Sequence, residues 1–179
     1  MTEPVVSAEI DKEVLILGLG NLLLSDEGVG VHAAQLLLRM DLPSDVEVVD
    51  GGTGGFELIE HVRGKSKVVI IDCLRGDISP GSIVRLGLDD LLLRLPAPFS
   101  VHEGGVLELL SKIKTLSPMP EVVIIGIVTV VTKEPGTKVS AIVESQMPRI
   151  IAAVLEEISK PRRPVTPAGE LEFDLGDVD

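Results

Sequence analysis

The sequence predicts an α/β fold: a three-layer α/β/α sandwich on a mostly parallel, twisted sheet of about five strands, one of them antiparallel. Three observations point there. The runs Val14 to Leu19, Lys67 to Ile71 and Glu121 to Val128 are too uniformly apolar and β-branched for strands with one wet face, so they belong inside a sheet covered on both sides. Segments with helical spacing alternate with them. The first two of these strands, and a Val46 to Val49 strand between them, run into glycines or acids: Gly18-Leu19-Gly20, Asp72 and Asp50-Gly51-Gly52 respectively.

Taken in order, residues 1–12 are polar and aperiodic and read as a flexible lead-in. Residues 13–159 form the single α/β domain. After the first strand, Asn21 to Glu27 makes a loop that brings two adjacent acids, Asp26 and Glu27, to the start of a helix predicted from Gly28 to Met40, before Pro43. The second strand, Val46 to Val49, ends in the glycine-rich Asp50-Gly51-Gly52-Thr53-Gly54-Gly55, where backbone can approach a neighbour closely. A short helix from Phe56 to Val62 precedes the third strand. Gly76 to Gly81 turns into Ser82 to Leu86, read as the antiparallel hairpin partner of the third strand or as a sheet edge. One or two helical turns are expected from Leu88 to Leu95. Ser100-Val101-His102-Glu103 leads into a helix from Val106 to Ile113, and Ser140 to Ile158 is the closing helix, with Pro148 as its start or a kink. From residue 160 to 179 the composition turns to Pro, Arg, Gly and acids, an expected disordered acidic tail.

Bulk composition narrows the classes of function. The net charge is −12, from 28 acidic against 16 basic residues, which argues against nucleic acid and anionic membranes as partners. The lone cysteine, Cys73, rules out a disulfide framework and a multi-cysteine metal site. No apolar run approaches the roughly 20 residues of a transmembrane helix, and the acidic N-terminus lacks the features of a signal peptide. A cytoplasmic location is expected.

In parallel sheets, ligands bind beyond the carboxyl ends of the strands. Glu27, Asp50, Asp72 and the loop carrying His102 all fall at that edge by their place in the sequence. Gly18-x-Gly20 after a strand is part of a dinucleotide fingerprint, but Leu23 stands where its third glycine would be, and Asp26 and Glu27 would repel a pyrophosphate. Acids at a helix start suit a cation better. Glu27, Asp72 and His102 together offer two carboxylates and an imidazole, a three-ligand set for a borderline divalent metal with positions left open. Each residue also has a plainer reading: Glu27 as a first-turn acid, Asp72 as a turn cap, and His102 as a helix cap or buried imidazole. His32 and His61 read as structural, Glu103 as a first-turn helix acid, and Cys73 as a small buried hydrophobe rather than one half of a thiol–imidazole dyad.

The ordered set Gly18-x-Gly20-Asn21, Asp26-Glu27-Gly28-x-Gly30, Asp50-Gly51-Gly52-Thr53-x-Gly55, a strand closing on Asp72, and Ser100-x-His102 resembles the maturation endopeptidases of nickel-iron hydrogenases. The resemblance covers roughly residues 14–158 and thins after Gly126-Ile127, where Val128-Thr129-Val130-Val131-Thr132 departs from the family pattern and Gly136, Val139 and Ser140 match a later segment only loosely. It implies a metallopeptidase with aspartic-like ligands that removes a C-terminal extension from the hydrogenase large-subunit precursor after nickel insertion. Glu27, Asp72 and His102 fall on the family's metal-contacting positions, and the nickel is supplied by the substrate, with other divalent metals able to enter the same site. Asp50, Gly51, Gly52, Thr53 and Gly54 are the expected substrate-binding loop. The alternative within this fold is a module that binds nickel or precursor without cutting.

Overall fold

The computed structural model describes residues 13–88, 100–101, 105–116, 118–129 and 135–161. The lead-in of residues 1–12, the helical turns expected across 89–95, His102, Glu103 and all of the tail but residues 160 and 161 lie outside the described residues.

The strands are β1 (Val14–Leu19), β2 (Val46–Gly52), β3 (Lys67–Arg75), β4 (Ile83–Gly87), β5 (Ser100–Val101) and β6 (Glu121–Val128). The helices among the described residues are α1 (Val29–Leu37), α2 (Ile59–Val62), α3 (Gly105–Ile113) and α4 (Ala141–Ser159), with 3-10 turns at Ser25–Gly28 and Phe56–Leu58. The sheet order is β2-β1-β3-β6-β4, with β5 on β3. Strands β1, β2, β3 and β6 are parallel. The mixed sheet covered by helices is the predicted sandwich.

Of the two placements open to the Ser82 to Leu86 segment, the edge is the one taken: β4 lies antiparallel to β6 and has no pairing with β3. Strand β6 already occupies that flank of β3 from Lys67 to Leu74, so a hairpin there has no free ladder to join. The sixth strand, β5, was not foreseen. Its place follows from unequal lengths: β1 pairs with β3 only as far as Ile71, and the freed ladder of β3 beyond it receives Val101 and Ser100 opposite Leu74 and Arg75.

Alternation along the strands separates two cores. On one side Leu15, Leu17, Val68, Ile70 and Ile124 pack with Leu58, Val62, Leu109 and Ile113 of the α2/α3 layer. On the other, Ile16, Val69, Ile71, Ile125 and Ile127 pack with Val29, Ala33, Leu37, Val143, Ile150 and Val154 of α1 and α4. Most of these side chains are excluded from solvent, each stabilising the fold by about 1.5–3 kcal/mol on transfer arguments. Helix α1 is shorter than predicted because Ser25–Gly28 winds as a tighter turn and the helix ends at Leu37. Helix α4 continues through Pro148 as one element.

The close packing of α1 on the sheet explains the glycines of the opening motif. A Cβ on Gly30 would stand 2.1 Å from the Ile71 carbonyl oxygen and 2.2 Å from that of Leu19. Gly20 has φ +137°, and a Cβ there would lie 1.9 Å from the Glu27 carbonyl oxygen. These glycines let backbone meet backbone; no phosphate is required to account for them.

Candidate active site

The turn that carries Glu27 is tied down from three directions. The Asn21 N–H donates to the Glu27 carbonyl at 3.1 Å, closing the loop on itself. Ser25, the one non-glycine with positive φ among the described residues (+52°), donates its N–H to the Gly136 carbonyl at 2.7 Å, and the Gly136 N–H returns to the Leu23 carbonyl at 2.9 Å. Asp26 accepts the Ser140 N–H on Oδ1 and, at 2.9 Å, the Ser140 hydroxyl on Oδ2. Ser140 is itself the N-cap of α4, accepting the Val143 N–H at 3.4 Å. The two adjacent acids therefore have different work. Asp26 anchors the turn to the closing helix; Glu27 pairs with Arg75 at the end of β3.

Asp72 is fully buried near the end of β3. Its Oδ1 accepts the Cys73 N–H at 2.8 Å, and its Oδ2 is buried with no hydrogen-bond partner among the described residues. Burial drives its pKa up to about 7, with the negative charge of Glu27 adding to the rise and the Cys73 N–H bond opposing it. Glu27 is itself buried, and its Oε1 accepts from Arg75 Nη2 at 2.8 Å. Arg75 thus pairs with Glu27, the charge of Glu27 bears on Asp72, and one Asp72 oxygen has no partner among the described residues.

A buried acceptor without a donor is uncommon in folded proteins, and a proton, a water or a cation at that oxygen would each relieve it. The donor set is oxygen from Glu27 and Asp72, which fits a divalent ion. Among the described residues no group of three His, Cys, Asp or Glu side chains is gathered tightly enough to hold a metal. His102, the third predicted ligand, lies outside them. Strand β5 leads to that position from Val101, which pairs with Leu74 two residues beyond Asp72.

The predicted substrate loop sits at the same edge, at the end of the outermost strand β2. Asp50 is exposed and accepts from Gln35 Nε2 at 3.1 Å and from the Gly52 N–H at 3.2 Å. Gly51 packs on the core: a Cβ there would come within 2.7 Å of Leu19 and 2.9 Å of Leu17. Gly52 takes φ +52° and faces open space, Thr53 is exposed, and Gly54 donates to the Gly51 carbonyl at 2.8 Å. The glycines are thus partly explained by the loop's own folding.

Cys73 is buried, and burial, followed by the charges of Asp72 and Glu27, pushes its thiol far above the usual range. A thiolate nucleophile is therefore disfavoured at this position. His61 Nδ1 lies 3.2 Å from Glu47 Oε1, which groups it with the Lys65–Glu47 ion pair on the outer strand. His32 lines a groove of about 330 Å³ between α1 and α4, together with Leu36, Arg39, Val139, Glu144 and Met147.

Sequence reasoning missed Arg75 and the Asp26–Ser140 anchor. A basic residue three places after Asp72, in a chain this acidic, was the available signal for the first. For the second, only the loose motif around Gly136 and Ser140 hinted that this segment returns to the first turn.

Comparison with known proteins adds an independent line. A family model described as hydrogenase maturation protease matches residues 31–157. The hydrogenase 2 maturation protease of Escherichia coli K12 is 30% identical over 150 residues, covering 80% of this chain and 91% of that protein. The hydrogenase expression/formation protein HupD of Thiocapsa roseopersicina is 32% identical over 153 residues, covering 84% of this chain and 69% of its own length. Among solved structures, the hydrogenase maturating endopeptidase HybD from E. coli superposes with a TM-score of 0.70 at 25% identity, over 82% of this chain and 91% of that one. The [NiFe] hydrogenase maturation protease HybD from Thermococcus kodakarensis gives 0.68 at 27% identity, over 83% and 99%.

Proposed function

This chain belongs to the hydrogenase maturation protease family, and from that premise we propose that it is the endopeptidase that removes the C-terminal extension of a nickel-iron hydrogenase large-subunit precursor after nickel insertion. The observation that carries the reading is the fully buried Asp72 carboxylate, with one orphaned oxygen, beside the buried Glu27. That pair suits a cation the protein does not itself neutralise. On this reading the cation is nickel, arriving as part of the substrate, and Glu27 and Asp72, with His102 by its motif position, recognise it.

A divalent ion at a scissile peptide supplies Lewis-acid polarisation of the carbonyl. The chain's own part is to hold and orient. Glu27 is fixed by the tethered turn, and Asp72 by burial and the Cys73 N–H. With its pKa near 7, Asp72 is also suited to carry a proton at its free oxygen around neutral pH. The outer strand β2, which among the described residues is hydrogen-bonded to β1 on one side only, offers the other side of its backbone to an extended tail, which is where Asp50 to Gly54 would make contact.

The test is to mix the protein with nickel-loaded and nickel-free precursor and follow the substrate by mass, with Glu27→Ala alongside. Shortening of the loaded precursor alone, abolished by Glu27→Ala, is the expected result. Binding without shortening would mean a non-cutting module, and equal cutting of both precursors would overturn recognition through nickel.

A further inference from the structure

Arg75 is the last residue of β3, three positions beyond Asp72. It joins two parts of the site. Its backbone pairs with Ser100 of β5, and its Nη2 donates to Glu27 Oε1 at 2.8 Å. The two partners differ in their freedom to part. The Arg75 side chain is 34% exposed, whereas that of Glu27 is 11% exposed on a turn held by the Gly136 and Ser140 contacts. The guanidinium stays charged at any ordinary pH and can be received by water. Glu27 has no such exit.

Any cation that Glu27 holds must therefore contend with a positive charge already on its Oε1. The repulsion acts at a few ångströms in a partly buried place, where it is weakly screened. We propose that Arg75 is a positioning residue that aims Glu27 in the resting protein and competes with divalent ions for it. A free aquo ion is thereby disfavoured, whereas a metal presented within a bound protein substrate brings enough further contact to displace the guanidinium. The exchange moves no proton: the Arg75–Glu27 ion pair opens, the carboxylate turns to the ion, and the guanidinium passes to solvent. This inference rests on the function proposed above in taking the ion to be substrate-borne, and it names the residue that would enforce that choice.

The measurement is a calorimetric titration of the full chain with nickel chloride alone, and again with cadmium chloride, for wild type, Arg75→Met, Arg75→Lys and Arg75→Met/Glu27→Gln. The expected result is about ten-fold tighter binding for Arg75→Met, the size of one charge-pair coupling. Arg75→Lys should return toward the wild-type value, and adding Glu27→Gln should erase the gain. A merely structural arginine predicts the opposite sign, since loosening the site weakens binding. Unchanged or weaker binding in Arg75→Met would overturn the proposal, and so would a gain that survives Glu27→Gln. Should Arg75→Met not fold, Arg75→Gln takes its place, with the same expected sign. A second arm measures the ratio of cleavage of nickel-loaded to nickel-free precursor in buffer containing free nickel, which should fall in Arg75→Met. If no variant cuts any precursor but the titrations behave as expected, the endopeptidase reading fails while the counter-ion role stands.

Discussion

Strand β3 carries a charged residue in the core near each end, and the two ends are neutralised in opposite ways. At the amino end, Lys67 is 1% exposed and donates to Glu157 of α4, with Nζ 2.8 Å from Oε1 and 2.9 Å from the carbonyl oxygen. Arg85 from β4 adds Nε to Oε2 at 2.7 Å and Nη2 to Oε1 at 3.0 Å, and Lys160 reaches Oε2 at 2.9 Å. Burial alone would raise the pKa of Glu157, but these three cations outweigh it and bring the carboxyl down to about 2. At the carboxyl end, Asp72 is just as buried, has one backbone donor and a like charge nearby, and goes up to about 7. Both are carboxylates on or against one strand. What separates them among the described residues is the supply of positive charge: three cations on Glu157, and none hydrogen-bonded to Asp72.

The sharpest way to break this contrast is to remove the charge at each end in turn. Asp72→Asn keeps an acceptor for the Cys73 N–H while deleting the buried charge. Processing is expected to fall by about a hundred-fold or more, whereas the ligand-free protein should gain roughly 1 kcal/mol or more at pH 8 because an uncompensated charge is gone. Glu157→Gln is expected to do the reverse. It leaves Lys67 buried on the residue 157 main-chain carbonyl, with Glu121 at 3.8 Å as its remaining carboxylate among the described residues, which costs about 3 kcal/mol or more, while activity per folded molecule is retained. Thermal melts and precursor cleavage read both. If Asp72→Asn proves inactive and also less stable, the carboxyl end is not under-neutralised and the contrast fails.

Solution pH sharpens the comparison because the two linkages have opposite sign. Glu157 has a folded value near 2 against an ordinary 4.5, so its contribution is present above about 4.5 and is lost as pH falls toward 2. Asp72 is raised from 3.8 to about 7, so the fold is best served below 3.8 and loses stability as pH rises through 7. Stability measured against pH by urea unfolding should therefore show Asp72→Asn diverging upward from wild type between about pH 4 and 7. Glu157→Gln should lie below wild type at neutral pH and converge on it in acid. Parallel curves for either variant would mean that its carboxylate does not titrate differently on folding.

How much of this was open to the sequence differs between the two ends as well. The carboxyl end announces itself locally: an acid late in an apolar strand and an acid pair at a helix start are short-range patterns, and they single out Glu27 and Asp72, whose charges the fold brings within reach of each other. The central strands were legible for the same reason, since Val14 to Leu19 and Val68 to Ile71 leave no polar face. The amino end was not legible. Lys67 meets Glu157 across 90 residues, and nothing near either of them marks the pairing. The same limit hid Arg75, whose partner is 48 residues away, and β5, whose place depends on β1 ending before β3 does. Patterns of period and turn report contacts along the chain; ion pairs between layers exist only once the layers are stacked.

The smallest expected effect lies between the two ends, at the anchor that holds the Glu27 turn to α4. Ser140→Ala deletes the hydroxyl donated to Asp26 Oδ2 and the cap that accepts the Val143 N–H, but it keeps the Ser140 N–H on Asp26 Oδ1 and both backbone bonds to Gly136. A lost cap costs about 1 kcal/mol, a Tm drop of roughly 2–4 °C for a chain of this size. Because the backbone tethers remain, the turn should stay in place and cleavage should change by no more than about three-fold, within 0.7 kcal/mol or so of transition-state energy. Asp26→Ala removes both side-chain contacts at once and should cost more in both readouts. Were Ser140→Ala to abolish cleavage with the melt unmoved, the hydroxyl would be acting on substrate, and Asp26 would have to be read as its partner in the chemistry instead of an anchor for Glu27.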